Sequence, residues 1–161
     1  MSVDLIYRMQ RSVPYDADGE GFFFSDSLFS AIAALPLMYR ERRGLIGTAK
    51  LCMKIAIRRC IYFGLARDGR PFSTGLLILG YCRFYPVPGD AIVIGEILTD
   101  PGSRGRGYAT RAIMLAMNEL IRKGPTTFYI DTQTRNEPMI RSIRKLGFGA
   151  PVGGTAAGSQ A

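Results

Sequence analysis

Glu96-Ile97-Leu98-Thr99-Asp100-Pro101-Gly102-Ser103-Arg104-Gly105-Arg106-Gly107-Tyr108-Ala109-Thr110 joins a run of strand formers to an amphipathic helix, and its reading decides the fold. Upstream, the mostly apolar run from Ala91 contains the β-branched Ile92, Val93 and Ile94, and Asp100-Pro101-Gly102 stops it as a strand is stopped. Downstream, Ala109, Ile113, Ala116, Leu120 and Ile121 recur at helical spacing, with Arg111, Asn118, Glu119 and Arg122 on the other side. Gly124-Pro125 ends that helix. A strand, Gly-rich loop and helix in this order aim backbone N–H groups and a helix dipole at one spot, which suits a phosphate or pyrophosphate. Gly105 and Gly107 remove Cβ atoms from the path of an anion, and Arg104 and Arg106 add charged donors. The same residues also fit a tight turn with solvated arginines. No Gly-Lys-Ser/Thr follows, so the loop is not a P-loop, nor does it carry the dinucleotide fingerprint.

Arg104-x-x-Gly107-x-Ala109, set within Thr99 to Ala109, resembles the acetyl-CoA pyrophosphate loop of the GNAT superfamily of N-acyltransferases, whose pattern is Gln/Arg-x-x-Gly-x-Gly/Ala. A second match lies downstream. Asn136-Glu137-Pro138-Met139-Ile140-Arg141-Ser142-Ile143-Arg144-Lys145-Leu146-Gly147-Phe148 is similar to the family's Asn-led helix ending in Lys-Leu-Gly-Phe. The resemblance implies a single α/β domain of GNAT type over residues 1–150: a mixed, mainly antiparallel sheet with about four helices. It also implies a split between the strand before the loop and the strand at Thr127–Thr132, which makes a coenzyme groove.

Composition agrees with one globular domain. The chain has 161 residues, 47% hydrophobic and 21% charged, enough to bury a core. No apolar run reaches the ~20 residues of a membrane span, and Met1 to Gln10 lacks the apolar centre of a signal peptide. The expectation is a soluble cytoplasmic protein. Cys52, Cys60 and Cys82 are too few for a disulfide framework or a zinc site. With no histidine in the chain, Cys–His or Ser–His–Asp catalysis is excluded and no metal is expected. The net charge is +8. Nine Lys/Arg between Arg40 and Arg70 face only Glu41 and Asp68, and lack the aromatic interleaving of a nucleic-acid reader. A solvated basic face, or attraction of an anionic ligand such as coenzyme A, fits better.

Taken in order, Val3–Met9 reads as a strand, residues 11–25 as a loop bearing Asp16, Asp18 and Glu20, and Ser25 or Asp26 as the cap of a helix stopped by Pro36. Residues 37–54 read as partly helical. Ile55–Ala66, Thr74–Tyr85 and Ala91–Thr99 read as three successive antiparallel strands. A helix capped by Asn136 follows the Thr127–Thr132 strand, and a Gly/Ala/Ser-rich tail, 151–161, reads as disordered. Members of the family continue after Gly-Phe with one or two strands. Here only Phe148–Val152 could serve, so the acceptor-side wall is either incomplete or supplied by a second subunit, as in a homodimer.

The resemblance assigns the coenzyme to Ile97, Leu98, Thr99, Arg104, Gly105, Arg106, Gly107, Tyr108, Ala109, Thr110 and Asn136. The implied reaction is acetyl transfer from acetyl-CoA to an amine, on an amino sugar or similar small molecule or a peptide N-terminus. Glu96, the only carboxylate within the apolar strand, is the candidate base; burial there is expected to raise its pKa toward a useful value. Where many members carry an acidic tyrosine, seven positions after the asparagine, this chain has Ile143. Tyr129 is the alternative acid, and departure of the thiolate without one is the other route. Two further readings stay open: a non-catalytic acyl-CoA-binding module and a basic nucleic-acid-binding domain.

Overall fold

The computed structural model describes residues 5–154. Its strands are β1 (Leu5–Arg11), β2 (Phe22–Ser25), β3 (Cys60–Arg67), β4 (Arg70–Leu79), β5 (Ile92–Thr99) and β6 (Thr126–Thr132). They make one sheet in the order β1-β6-β5-β4-β3-β2. All neighbours are antiparallel except β5 and β6. A parallel pair needs a crossover, which helix α4 (Tyr108–Ile121) supplies. The other helices are α1 (Leu28–Ala33), α2 (Leu35–Met38), α3 (Gly44–Ala56) and α5 (Glu137–Lys145), with a π-helical turn at Tyr39–Arg43. The mixed, mainly antiparallel sheet is as the sequence implies.

Side chains alternate across the pleat and divide the core in two. Phe63, Leu65, Leu77, Ile94, Phe128 and Ile130 pack with Ile113, Ala116 and Met117 of α4 and Ile143 of α5. On the opposite face Tyr62 and Leu76 meet Ala31, Met38, Leu51 and Ile55 from α1 to α3. Over the β1–β6 end of the sheet, Ile6 and Tyr85 form a smaller cluster with Tyr129.

Several expectations are corrected. Ile55 and its neighbours extend α3 rather than a strand, because Thr48, Leu51 and Ile55 are buried one helical turn apart. The strand expected over Thr74–Tyr85 stops at Leu79. There Gly80 adopts φ +62° and passes so close to Gly89 that a Cβ would stand 2.3 Å from its carbonyl oxygen. Phe22–Ser25, taken as the close of a loop, is an edge strand paired with β3. The cap of α1 is Ser27, whose hydroxyl accepts from the Ser30 N–H at 3.3 Å while Ser30 Oγ accepts from the Ser27 N–H at 3.0 Å. Asn118 is not on an outer face: its side chain accepts from Tyr15 N–H (2.7 Å) and donates to Tyr15 carbonyl (2.9 Å). The acidic loop is thus strapped over α4, and Arg111 extends the strap through the Glu20 carbonyl at 2.8 Å and Asp18 at 3.5 Å.

The chain completes the sheet beside β6 with its own first strand. β1 pairs with β6 over seven residues, from Leu5↔Thr132 to Arg11↔Thr126. Past Phe148 the chain adds a single bridge to the outer edge of β1, where Ile6 N–H donates to Gly153 (2.7 Å) and Val152 N–H to Ile6 (2.8 Å). The disordered tail expected over 151–161 lies, from 155 on, outside the described residues.

Candidate active site

Two local features of β5 create a groove. The β5–β6 pairing consists of Ile92↔Phe128, Val93↔Tyr129 and Ile94↔Ile130. Beyond these rungs β5 runs on to Thr99 and β6 to Thr132 without pairing to each other, so backbone groups of β5 face an open cleft instead of a ladder.

The second feature is a β-bulge. Thr74 pairs with Leu98 and Leu76 with Gly95, so three steps on β5 match two on β4. Glu96 takes up the extra residue with φ +49°. Without it, alternation would turn Glu96 into the α4 core. With it, Ile97 takes the inward place, and Gly75 makes room: a Cβ there would lie 2.5 Å from Ile97 Cδ1 and 2.6 Å from Phe63 Cζ. Glu96 is therefore exposed, and the burial expected for a carboxylate in an apolar strand is not what the bulge produces.

At the C-terminal end of β5 the chain turns through a short 3₁₀ segment, Pro101–Ser103, into α4. Gly105 and Gly107 have φ +76° and +78°, and an added Cβ at either would meet nothing within 4 Å. The glycines there answer to the left-handed backbone and to free approach from outside, not to crowding within the fold. Gly107 caps α4 without a side-chain hydrogen bond, and the first turn holds no acid. The orphan N–H groups of that turn are thus open to an anion. Arg104 donates from Nε to the Thr99 carbonyl at 3.0 Å, which holds it across the loop.

A groove of about 540 Å³ begins at these amides. Arg104, Gly105, Gly107, Tyr108, Ala109 and Thr110 border one side, and Ile97, Leu98 and Thr99 the floor. Asn136, Met139, Arg141, Ser142 and Lys145 of the α5 segment border the other. Asn136 Oδ1 caps α5 by accepting from Met139 N–H at 3.3 Å. Arg106 is not part of this lining; it borders a separate depression with Arg67, Arg70 and Asp100.

The groove continues into the β5–β6 split as a pocket of about 300 Å³. Ile97, Leu98, Asn136 and Met139 border both, whereas Glu96, Asp131 and Gln133 border only the pocket in the split. A third depression, about 620 Å³, also reaches Leu98 and brings Arg40, Glu41, Arg70 and Arg104 together. Glu41 accepts a hydrogen bond from the Thr74 hydroxyl.

Neither Ile143, at the position where many members carry the acidic tyrosine, nor Tyr129, the alternative acid, lines these walls. Ile143 is fully buried between α5 and the sheet. Tyr129 is half-buried with its ring 6.2 Å from that of Tyr85. A pair that the sequence reading missed lies next to it. Tyr85 donates from its hydroxyl to Asp131 Oδ2 at 2.9 Å. Burial, then the neighbouring Asp131 charge, push the Tyr85 pKa well above the usual phenol value, so it stays a donor. Burial also raises the Asp131 pKa, against the lowering effect of the Tyr85 hydrogen bond. Asp131 could have been found from sequence as the carboxylate near the end of the strand after the crossover, where open α/β sheets bind ligands.

Comparison with known proteins agrees with this geometry. The acetyltransferase (GNAT) family matches residues 33–148. A GNAT-family protein from Novosphingobium aromaticivorans is 22% identical, with a TM-score of 0.59 over 92% of this chain and 60% of that one. A GNAT-family acetyltransferase from Colwellia psychrerythraea is 14% identical, with a TM-score of 0.64 over 93% of this chain and 53% of that one. The chain thus spans a little over half the length of these two. The aminoglycoside acetyltransferase AAC(6')-Iy, solved with a coenzyme A–acetylneamine bisubstrate analogue, is 13% identical with a TM-score of 0.58, covering 96% of this chain and 99% of that one. At such identities the likeness is one of fold. The search of curated proteins finds no match. The family match extends over both the Gly-rich turn before α4 and the Asn136 helix, and with the split sheet between them it shows that the chain belongs to the acetyltransferase (GNAT) family.

Proposed function

We propose that residues 1–150 act as an N-acetyltransferase domain that binds acetyl-CoA along this groove and transfers the acetyl group to an amine. One observation carries the reading: the groove at the amide-lined turn before α4 and the pocket in the β5–β6 split share four lining residues, Ile97, Leu98, Asn136 and Met139. The pyrophosphate is assigned to the amides of residues 105–109 and Arg104, the pantetheine arm to the unpaired edge of β5 and Asn136. The thioester carbonyl then lies in the split, where N–H groups of β5 past its last rung with β6 polarise it.

The amine nitrogen attacks the carbonyl carbon, the C–S bond breaks, and sulfur leaves with the electron pair as a thiolate. The amine's surplus proton passes to Glu96, directly or through water. No tyrosine is assigned to protonate the thiolate, since a thiol pKa of ~8.5 makes it a tolerable leaving group near neutral pH. The acceptor is a small-molecule amine, such as an amino sugar or aminoglycoside, or a peptide N-terminus. Buried Ile143 favours a second reading, an acyl-CoA-binding module without turnover.

Calorimetric titration with acetyl-CoA, followed by thiol release with a panel of amino sugars, polyamines, aminoglycosides and short peptides, tests both. Binding with turnover supports the enzyme. Binding with none across the panel supports the module, and no binding rejects both.

A further inference from the structure

We infer that Asp131, oriented by Tyr85, anchors a second ammonium group of the acceptor, so that the preferred substrates are diamines or polyamines. The inference rests on the proposed function and names the substrate class of the same site.

Three observations carry it. The pocket in the β5–β6 split contains Glu96 and Asp131 and no Lys or Arg among its described lining residues. In a chain of net charge +8, the inner end of the groove thus has the opposite sign to the rest. A phosphate or carboxylate on the acceptor would be repelled there, and a cation attracted.

Asp131 is also fixed rather than free. One carboxylate oxygen, Oδ2, accepts from the Tyr85 hydroxyl at 2.9 Å. Tyr85 is itself buried, 9% exposed, against Ile6, Val87 and Tyr129. The hydrogen bond pins the carboxylate on the stretch of β6 that pairs with β1 but no longer with β5, one residue past the final β5–β6 rung at Ile130.

Finally, the carboxylates come from opposite walls and opposite circumstances. Glu96 is an exposed side chain on the bulge of β5, and Asp131 a half-buried one on β6. Once Glu96 takes the proton of the reacting nitrogen, a second carboxylate serves no purpose in the transfer. Its chemistry suits a second nitrogen that keeps its charge. Asp131 is then a binding residue, and Tyr85 a positioning residue acting through it.

The test compares α,ω-diamines of three to six carbons, and spermidine, with butylamine as acceptors at neutral pH. A charge-assisted hydrogen bond implies a kcat/KM ratio of best diamine to butylamine of roughly 10- to 100-fold. Asp131→Asn should collapse that ratio toward one, mainly through a higher KM for the diamine, with the acetyl-CoA affinity as in the wild type. Tyr85→Phe should lower the ratio in the same way but less. Loss of butylamine turnover in step with diamine turnover would mark Tyr85 as structural and overturn its part. A wild-type ratio near one, or one unchanged in Asp131→Asn, overturns the anchor.

If acetyl-CoA binds but no amine is turned over, the enzymatic reading fails by itself. The anchor is then read from calorimetric affinities of the same amines for the coenzyme A complex. A diamine preference lost in Asp131→Asn supports it, and no preference overturns it.

Discussion

The two ends of the groove are built from different materials. The proposed coenzyme end uses main chain: two glycines at φ +76° and +78°, the first turn of α4, which no side chain caps, and the edge of β5 past its last rung with β6. These parts come from consecutive residues, and only the Asn136 helix is added from elsewhere. The proposed acceptor end uses side chains: Glu96 from a bulge, Asp131 from β6, and Tyr85 from the loop between β4 and β5. On the proposed reading, backbone donors bind any phosphate in the same way, whereas side chains brought together by tertiary packing select the amine. The coenzyme end should thus respond to backbone changes through affinity, and the acceptor end to side-chain changes through rate and selectivity.

The sharpest way to break this division is Glu96→Gln. The amide keeps the shape at the bulge but takes no proton, so acetyl transfer should fall by ~10²–10⁴-fold with acetyl-CoA affinity nearly unchanged. Equal losses in both measurements would mean that Glu96 belongs to the coenzyme end. A loss of only a few-fold would reduce it to an orienting residue and imply that the amine binds already unprotonated.

The bulge itself is tested by Gly75→Ala. A methyl group pressed between Ile97 Cδ1 and Phe63 Cζ should cost about 1–3 kcal/mol of stability by overpacking, read from urea unfolding. Relief by pushing Ile97 outward would also lower the transfer rate, because Glu96 turns with it. Stability unchanged from the wild type would show that Gly75 does not hold the bulge.

The difference in materials also explains what could be read from sequence. Pro101-Gly102 and the glycines at 105 and 107 punctuate the chain locally, and α4 shows its period between them, so this stretch is legible without tertiary knowledge. Asn136 and Leu146-Gly147-Phe148 are legible for the same reason. Helix α3 is legible only in part: residues 37–54 read as partly helical, Gly44 and Gly47 argue against a continuous helix, and burial of Leu51 and Ile55 against Tyr62 and Leu76 overrides them and carries it on to Ala56. Nothing near Asp131 in sequence announces Tyr85, 46 positions away. The role of β1 is equally non-local, since only the folded sheet shows that the first strand closes the edge beside β6. The bulge was hidden too, because Glu96 in a strand of alternating residues reads as buried until the extra residue is seen.

The smallest expected effect is on stability against pH. Burial raises the Asp131 pKa above its unfolded value, so ionising it costs folded stability as pH climbs from ~4 through that raised value. Asp131→Asn keeps an acceptor for Tyr85 and removes this charge. The variant should therefore gain stability relative to wild type as pH rises through that window, with the difference level above it. A difference that is flat, or that falls with pH, would show that the Tyr85 hydrogen bond outweighs burial.

The central claim is that acetyl-CoA lies against the turn before α4, and titration calorimetry of four proteins addresses it most directly. Arg104→Ala should weaken acetyl-CoA binding by ~1–3 kcal/mol, the range for a charge-assisted bond. Gly107→Val should weaken it at least as much by blocking approach to the amides, while the left-handed backbone costs the fold only ~1–2 kcal/mol. Arg106→Ala, altering a residue on the separate depression, should change affinity least. Wild-type binding with that order of losses is the predicted result; unchanged affinity in both Arg104→Ala and Gly107→Val would contradict it.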